Sequence, residues 1–267
     1  PSAEAALPVM KATDAARLSQ LMPRSIHSTE ATYFLLTDRY ANGDPTNDSG
    51  AGTSVGGFDP TKSTGFHGGD FVGLMNNLER IKSLGFTAIW VTPPVLQNAV
   101  QGGSSSYHGY WGLDFTTTDP HWGTEAEFKA MVDRAHELGL KVIMDIVMNH
   151  TGDLISYAGS NYGFKSVSQY PYKNSQGSPV SITSLAVRGL CTNGATTSCF
   201  PDLEVNGFPN VPQSLSGKVK KPAFLEDLTL YHNRGDANNC NWAEGECAQM
   251  CDFFGLDDIM TEDPRVV

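Results

Sequence analysis

The chain has 267 residues, of which 40% are hydrophobic and 18% charged, so it is long and apolar enough to bury a substantial core. Its formal net charge of -11 argues against nucleic acid and anionic membranes as partners, because both favour basic patches. No apolar run approaches the length of a membrane span, and we predict no membrane partner.

Residues 1–30 are weakly patterned, and we predict an N-terminal extension there with at most a short helix that ends near Pro23. The sequence does not open with a signal peptide, because Pro1 is followed by small and polar residues rather than by a basic and then an apolar segment. We therefore expect that a signal was removed or that the sequence does not start where its gene starts.

The first predicted strand, residues 32–37, runs directly into a loop dense in side-chain oxygens, residues 38–48. Four amide or acidic residues fall within seven positions of that loop: Asn42, Asp44, Asn47 and Asp48. Such a set forms ordinary solvated turns or wraps a hard cation such as calcium. The spacing and the final Glu of an EF-hand are absent, and the pattern alone leaves both interpretations open.

A helix and a second strand follow. Asp70 is in the position of an N-cap, and Gly85 is placed to end the helix. Apolar residues recur between them at helical spacing: Phe71, Leu74, Leu78, Ile81 and Leu84. Residues 87–92 then predict a buried strand that ends at two prolines. Because a helix connects the two strands, we predict that they are parallel.

A long loop is predicted from Val95 to about Gly123, and it contains the aromatic sequence YHGYW at residues 107–111. Three aromatic rings and a histidine after the C-terminal end of a strand suit a sugar site, because sugar rings stack on aromatic planes while polar neighbours bind hydroxyls. A loop that is anchored by its own aromatic residues is the alternative, and such loops are common.

The next helix begins with a capping box formed by Thr124 and Glu127, and Gly139 ends it. We predict its inner face to consist of Phe128, Met131, Val132, Ala135 and Leu138. Residues 141–150, KVIMDIVMNH, then predict a third buried strand with a polar end. Branched apolar residues support that strand: Val142, Ile143, Ile146 and Val147.

Three polar residues in that third strand carry the first functional signal. Asp145 interrupts the apolar run, where a charge is costly unless it is paired. Asn149 and His150 stand at the C-terminal end, where the loops and the chemistry of α/β folds gather. The alternative is a capped strand with one satisfied aspartate, and the three residues alone do not exclude it.

Beyond His150 the helix and strand patterns fade for about a hundred residues, a length that is uncommon for a structureless loop. We predict an inserted small domain stapled by disulfides, since this stretch holds every cysteine: Cys191, Cys199, Cys240, Cys247 and Cys251. Disulfides indicate an oxidising compartment. Zinc is the alternative, but no ligand pairing of the usual spacing occurs. The odd count leaves one thiol free or paired outside this chain.

Several motifs, in this order and spacing, resemble the α-amylase family, glycoside hydrolase family 13, over roughly residues 31–267. They are YFLLTDRYANGDPTND, HGGDFVGL, YHGYW, DIVMNH, YHNRGD and GLDDIMTEDP. The resemblance implies an α/β fold that is the N-terminal part of a (β/α)8 TIM barrel. Its first three strands would lie in residues 31–150, an inserted domain B in residues 151–252 and a return toward the barrel in residues 253–267.

The resemblance also implies substrate contacts. Tyr110 matches the aromatic platform under the sugar at the cleavage subsite, and His150 matches the histidine that binds that sugar's hydroxymethyl oxygen. His108 and Trp111 belong to the same substrate-binding motif. Asp145 matches a structural aspartate inside the barrel, and for that reason we do not assign it as the nucleophile.

Calcium is the cofactor that the resemblance implies. Asn149 and Asp258 match ligands of a calcium ion that joins the barrel to domain B. A second calcium site, as in glucanotransferase-like members, is matched by Asn42, Asp44, Asn47, Asp48, Gly68 and Asp70.

The sequence lacks the two catalytic carboxylates of a retaining glycosidase. In the family they follow the fourth and fifth strands, and the Gly-x-Arg-x-Asp pattern of the nucleophile does not occur here. Three strands also do not close a barrel. We therefore expect an N-terminal fragment of a secreted, extracellular enzyme that acts on α-glucans, with its nucleophile and acid/base beyond Val267. A non-catalytic, calcium-stabilised carbohydrate-binding protein is the alternative.

Overall fold

The computed structural model describes residues 30–51, 56–159, 162–180, 203, 205–215, 217–241, 245–261, 263 and 266. Cys191, Cys199 and nearly all of the extension predicted for residues 1–30 lie outside the described residues. No helix in the described part is long and apolar enough to cross a membrane.

The strands and helices follow one another along the chain as β1 (Thr32–Leu35), α1 (Thr37–Tyr40), α2 (Phe71–Ser83), β2 (Ala88–Val91), β3 (Val95–Gln97), β4 (Val100–Gln101), β5 (Ser104–Ser105), β6 (Gly112–Thr118), α3 (Glu125–Glu137), β7 (Lys141–Met144), β8 (Ile155–Tyr157), β9 (Tyr172–Lys173), β10 (Pro179–Val180), β11 (Pro212–Leu215) and α4 (Gly245–Met250). Short 3-10 helices lie among the last of these elements, at Val205–Gly207, Ala223–Glu226, Leu228–Leu230 and Ala237–Asn239.

A parallel sheet with the strand order β1, β2, β7 is the centre of the fold. Its register aligns Phe34 with Trp90 and Trp90 with Ile143. Helix α2 connects β1 to β2, and α3 lies between β2 and β7 in the chain. The prediction that the first two strands are parallel is confirmed, and the third strand continues the same direction.

The two long helices form because their first turns are capped and their apolar residues share one face. The Asp70 side chain accepts a hydrogen bond from Gly73 N, and Thr124 with Glu127 makes the predicted reciprocal capping box. The helices pack with β1 and β2 in one apolar core, which includes Leu35, Leu74, Leu78, Ile81, Ile89, Val91, Met131 and Ala135. Leu84 was predicted on the buried face but is 61% exposed, because it is the C-cap residue at which α2 ends.

The opposite face of the sheet is open in the described structure. Phe34 and Trp90 are 50% and 40% exposed and contact each other edge to face, with ring centroids 5.2 Å apart. The predicted third strand is also shorter than expected, since β7 ends at Met144, and Ile146 is 58% exposed rather than buried. Among the described strands, none pairs with the outer edge of β7.

Two loop predictions were wrong in detail. The first strand ends at Leu35, and residues 37–40, predicted as the last strand residue and the start of the loop, form the short helix α1. The long loop after β2 contains two antiparallel pairs, β3 with β6 and β4 with β5. The β3–β6 ladder has irregular register, which disrupts the alternating pattern by which strands are recognised.

The described residues beyond His150 form small antiparallel pairs and short helices around their own apolar clusters. Strand β8 pairs with β11, and β9 pairs with β10. One cluster includes Ile155, Leu230 and Tyr231. Cys240 and Cys247 form a disulfide, in agreement with the preference for disulfides over zinc at this pair. That residues 151–252 make a separate domain stays a prediction.

Candidate functional site

The aromatic turn of residues 107–111 lies between β5 and β6, against the C-terminal end of β2. Gly109 permits this position. Its φ is +86°, and a Cβ there would lie 2.5 Å from the carbonyl oxygen of Pro93, which follows β2. The turn is therefore held at the edge where β2 and β7 end.

Tyr110 is the centre of this site. Its ring lies nearly parallel to the ring of His108, with centroids 5.6 Å apart and an interplanar angle of 18°. Its hydroxyl donates a hydrogen bond to Asp145 Oδ2 at 2.9 Å, and its carbonyl oxygen accepts one from His150 Nε2 at 3.1 Å. The structure thus brings together Tyr110, His108, His150 and Asp145, and all four are partly buried.

Burial keeps the side chains of His108 and Tyr110 neutral. Burial lowers the pKa of His108 to about 4, and the nearby charges of Arg39 and His150 lower it further in the same direction. Its Nδ1 accepts the Tyr110 N–H at 3.0 Å, as a neutral imidazole does. Burial, followed by the hydrogen bond to Asp145, raises the pKa of Tyr110 to about 12, so its hydroxyl remains a donor at neutral pH.

Trp111 is anchored at the side of this group. Its backbone N–H donates to Gln97 Oε1 at 2.6 Å, and its ring meets His108 edge to face with centroids 4.9 Å apart. Gln97 is a site-supporting residue that the sequence analysis missed, because a glutamine in a short strand carries no recognisable motif.

Asn149 and Asp258 are also brought together, across 109 positions of sequence. Asn149 Nδ2 donates to Asp258 Oδ1 at 2.9 Å, and the Asn149 carbonyl accepts a hydrogen bond from Ile259 N at 2.8 Å. The other carboxylate oxygen, Asp258 Oδ2, lies 2.6 Å from His232 Nδ1. Burial raises the pKa of Asp258, although the His232 contact opposes this.

This pair fits a calcium ion only in part. In the observed geometry the Asn149 amide turns its nitrogen toward Asp258, whereas calcium binds the amide oxygen. A rotation of the Asn149 amide by about 180° around its last side-chain bond would exchange its oxygen and nitrogen and direct the oxygen toward the ion. The two side chains supply two of the roughly six to eight oxygens that calcium takes.

The second predicted calcium site is more complete. Asn42 Nδ2 lies 2.7 Å from Asp48 Oδ1, and a Cβ at Gly68 would lie 2.5 Å from that same Asp48 oxygen. Asn47 Oδ1 is buried and has no hydrogen-bond partner within the described residues. Buried oxygens are normally paired, so an orphaned amide oxygen in a loop of amides and carboxylates fits a cation.

The two remaining members of that set have other partners. Asp70 is fully buried, with Oδ1 accepting from Gly73 N at 2.6 Å and Oδ2 accepting from Gly43 N and Asp44 N at 2.9 and 2.7 Å. Asp44 Oδ1 closes a turn with Thr46 N and Oγ1. Burial, and then the nearby charges of Asp70 and Asp44, raise the pKa of Asp48. A bound cation would offset that negative charge.

An exposed pair of aromatic rings, Phe253 and Phe254, was missed by the sequence analysis. Their centroids are 4.7 Å apart, and Phe254 is 54% exposed. Phe254 has φ +53° in a two-residue turn, followed by Gly255 and closed by hydrogen bonds between Phe253 and Leu256. A bulky exposed residue in the left-handed region is strained, and such strain is concentrated at functional positions. The Phe-Phe-Gly sequence in a polar segment was the available signal.

Buried acids that support Asp258 were also missed. Asp252 Oδ1 accepts the Asp258 N–H at 2.9 Å, and Tyr157 and Tyr162 direct their hydroxyls to Asp252 Oδ2. Lys220 Nζ pairs with Asp257 Oδ2 at 2.6 Å, with both side chains buried. These contacts fix the backbone on both sides of Asp258.

Comparison with known proteins gives the following matches. Residues 34–176 match the family model of the alpha amylase catalytic domain. The chain is 40% identical over 217 residues to an alpha-amylase of Streptomyces lividans, covering 79% of this chain and 22% of that protein. It is 39% identical over 126 residues to a cyclomaltodextrin glucanotransferase of Klebsiella oxytoca, covering 46% of this chain and 19% of that protein.

A solved structure shares the fold. The cyclomaltodextrin glucanotransferase CldA, described as having a three-domain ABC distribution, superposes with a TM-score of 0.57 at 30% identity, covering 89% of this chain and 40% of the other. The chain spans about a fifth of the length of the curated relatives given above.

Proposed function

The chain belongs to the alpha-amylase family, and from that membership we propose that it is the front part of a secreted glycosidase that cleaves α-glucans such as starch and maltodextrin. The match to the catalytic-domain model over residues 34–176 supports this assignment, as does the identity to the Streptomyces lividans alpha-amylase. The parallel β1–β2–β7 sheet with two helices on one face then corresponds to the first three units of a TIM barrel.

The observation that carries the proposal is the position of Tyr110. Its ring stands at the C-terminal ends of two neighbouring parallel strands and faces His108, while its hydroxyl and its carbonyl oxygen contact Asp145 and His150. That end of a barrel is where catalytic sites lie. We assign the Tyr110 ring as the surface on which a glucose unit stacks, and His150 as a hydrogen-bond partner of a sugar hydroxyl.

The bond-breaking groups lie elsewhere in the enzyme. A retaining glycosidase needs a nucleophile and an acid/base with carboxyl groups about 5–5.5 Å apart. Asp145 is committed to the Tyr110 hydroxyl, and we assign it a structural task. We place the nucleophile and the acid/base in the fourth and fifth barrel units, which follow the residues of this chain.

Calcium has a structural role in the proposed enzyme. The orphaned Asn47 oxygen and the close Asn42, Asp48 and Gly68 contacts support a site in the loop after β1. There the ion would supply positive charge to a cluster of acids and amides, not chemistry on the sugar. The Asn149–Asp258 pair would take part in a second site that joins the third strand to the inserted domain B.

Secretion and domain organisation complete the proposal. We infer that residues 151–252 form domain B, because most members of three apolar clusters separate from the sheet core lie in that range. The Cys240–Cys247 disulfide supports an extracellular location, since disulfides persist in oxidising compartments.

The experiment that tests the sugar site is calorimetric titration of the full-length protein with maltoheptaose. Tyr110→Ala removes the stacking surface, and we expect binding to weaken about tenfold or more, equivalent to ~1.4 kcal/mol. Tyr170→Ala removes an exposed tyrosine outside the site and serves as the matched control. Unchanged affinity in Tyr110→Ala, with the fold intact by circular dichroism, would contradict the assignment. Binding without hydrolysis would favour the carbohydrate-binding alternative.

A further inference from the structure

Three sulfur atoms meet beside α4. Cys240 and Cys247 form a disulfide, and Cys251 is a free, buried thiol. The three Sγ atoms all lie within 4.8 Å of one another, and Cys251 Sγ is 3.9 Å from Cys240 Sγ. The disulfide therefore has a thiol in near contact with one of its own sulfurs.

Local structure places both potential partners of Cys240 close to its sulfur. Cys247 lies in α4, and Cys251 directly follows the last residue of that helix, four positions after Cys247. Cys240 follows a short 3-10 helix, and its sulfur lies near the carbonyl oxygens of Asp236 and Ala237. Both Cys247 and Cys251 therefore have their sulfur atoms within reach of Cys240 Sγ.

We propose that Cys251 is a second disulfide partner of Cys240, so that the protein interconverts between a Cys240–Cys247 bond and a Cys240–Cys251 bond. The Cys251 thiolate attacks Cys240 Sγ, and a new sulfur–sulfur bond forms between them. The bond to Cys247 breaks, and its electron pair leaves on the Cys247 sulfur. That sulfur takes up a proton in place of the one that Cys251 lost, so nothing is oxidised or reduced overall.

The exchange moves a covalent tether from α4 to the chain segment that carries Asp258. Cys251 directly precedes Asp252, which is fully buried and accepts the Asp258 N–H. Ala237 N also donates to the Asp252 carbonyl oxygen at 2.8 Å. The segment before Cys240 and the segment after Cys251 are therefore already hydrogen-bonded to each other. One isomer thus ties Cys240 to the helix, and the other ties it to the support of Asp258.

The environment of the thiol makes the exchange slow at neutral pH. Burial raises the pKa of Cys251 to about 12, and the charges of Asp252, Asp258 and Asp236 act in the same direction, while Arg234 opposes them. Only the thiolate attacks. At pH values below that pKa, the exchange rate should therefore increase about tenfold for each unit by which the pH is raised. At acidic pH the exchange should stop, so that neither disulfide isomer converts to the other.

The first test is disulfide mapping of a Cys247→Ser variant of the full-length protein. Free thiols are blocked with N-ethylmaleimide, and the chain is cut after Glu244 and Glu246 with a glutamyl protease and after Met250 with cyanogen bromide. These cuts place the three cysteine positions on separate peptides. We expect a linked peptide pair that contains Cys240 and Cys251. Cys251→Ser is the matched control, and it should retain the Cys240–Cys247 bond.

The second test uses the unmodified protein, which keeps the proposal testable if the variant does not fold. Samples are held at neutral and at alkaline pH, quenched in acid and mapped in the same way. We expect a Cys240–Cys251 peptide pair whose formation accelerates with pH, together with blocked Cys247. The Cys240–Cys247 bond alone at every pH would overturn the proposal.

Two outcomes of the variant would also overturn it. In one, both Cys240 and Cys251 carry the blocking group, or Cys240 is joined to Cys191 or Cys199. In the other, the thiols stay reduced and bind Cd²⁺ with thiolate charge-transfer absorption, which would make the cluster a soft-metal site instead.

Discussion

At the scale of single residues, Tyr110 uses three separate parts of its structure. The ring faces His108, the hydroxyl contacts Asp145, and the carbonyl oxygen contacts His150. The hydroxyl gives the Asp145 carboxylate a partner in an otherwise apolar strand end, where an unpaired charge would be costly. One residue therefore joins the proposed sugar platform to the third strand.

Phe254 gives a prediction at the same scale. Its φ of +53° costs about 1–2 kcal/mol for a residue with a Cβ, and its ring is largely exposed. We expect Phe254→Gly to raise the free energy of unfolding by about 1 kcal/mol, because glycine adopts this conformation without strain. We propose that the exposed ring contacts sugar, and we therefore expect the same variant to weaken maltoheptaose binding. Urea unfolding and calorimetry measure the two effects.

Phe253→Gly is the control for Phe254, since Phe253 is outside the left-handed region. It should give no gain in stability. If Phe254→Gly is stabilised but binds sugar as tightly as the unmodified protein, Phe254 has no part in the sugar site.

Residue contacts could be predicted from the sequence only in part. The run KVIMDIVMNH indicated that Asp145 needs a partner, but that partner lies 35 positions earlier. The family resemblance implied that Asn149 and Asp258 bind the same calcium ion. No local sequence pattern could have linked these residues, because they are 109 positions apart. Long-range pairs depend on how the strands and loops are arranged, which a single sequence does not record.

At the scale of elements, the caps of α2 and α3 differ in what they support. Asp70 accepts hydrogen bonds from three buried or partly buried backbone N–H groups, two of them in the loop after β1. Thr124 caps α3 in an exposed box. We expect Asp70→Ala to lower the free energy of unfolding by about 2–4 kcal/mol and Thr124→Ala by about 1 kcal/mol. Urea unfolding followed by tryptophan fluorescence compares them, and equal losses would show that Asp70 is only a helix cap.

The loop after β1 gives a calcium prediction. Calcium should raise the melting temperature of the unmodified protein, and chelation should lower it. In Asp48→Asn we expect the calcium-dependent rise to shrink. In chelator the same variant should be at least as stable as the unmodified protein, because a carboxylate with a raised pKa near Asp70 and Asp44 has been neutralised.

Asp59→Asn is the control for Asp48, because it makes the same change at an aspartate outside the loop, whose carboxylate closes a turn with Thr61. Its calcium response should equal that of the unmodified protein. A melting temperature that does not change with calcium in any variant would refute the site.

The helices were easier to predict than the short strands, for a physical reason. Helices α2 and α3 are 13 residues each, with caps and a full apolar face, and both occur where the pattern indicated. Strands β3, β4 and β5 have two or three residues each, and β3 pairs with β6 in irregular register, so their sequences resemble loops. Ile146 and Leu84 show that apolar periodicity also overestimates burial at element ends.

At the scale of the whole molecule, exposed apolar side chains indicate what the sheet would pack against. Phe34 and Trp90 occupy the face that the helices leave open. Beyond β7, an apolar cavity of about 360 Å³ is lined by Val147, Met148 and Ile259 among others. Open apolar surface of this kind is where further packing elements sit, and we propose that the remaining barrel strands cover it.

The most direct test of the central claim is proton NMR of maltoheptaose incubated with the full-length protein of which we propose this chain is a part. A retaining α-glucan glycosidase releases its first product with the α anomeric configuration, before mutarotation. We predict α-configured maltooligosaccharides, with the rate strongly reduced in Tyr110→Ala. First products of β configuration would contradict the retaining mechanism, and no cleavage at all, with binding intact, would show that the protein binds α-glucan without hydrolysing it.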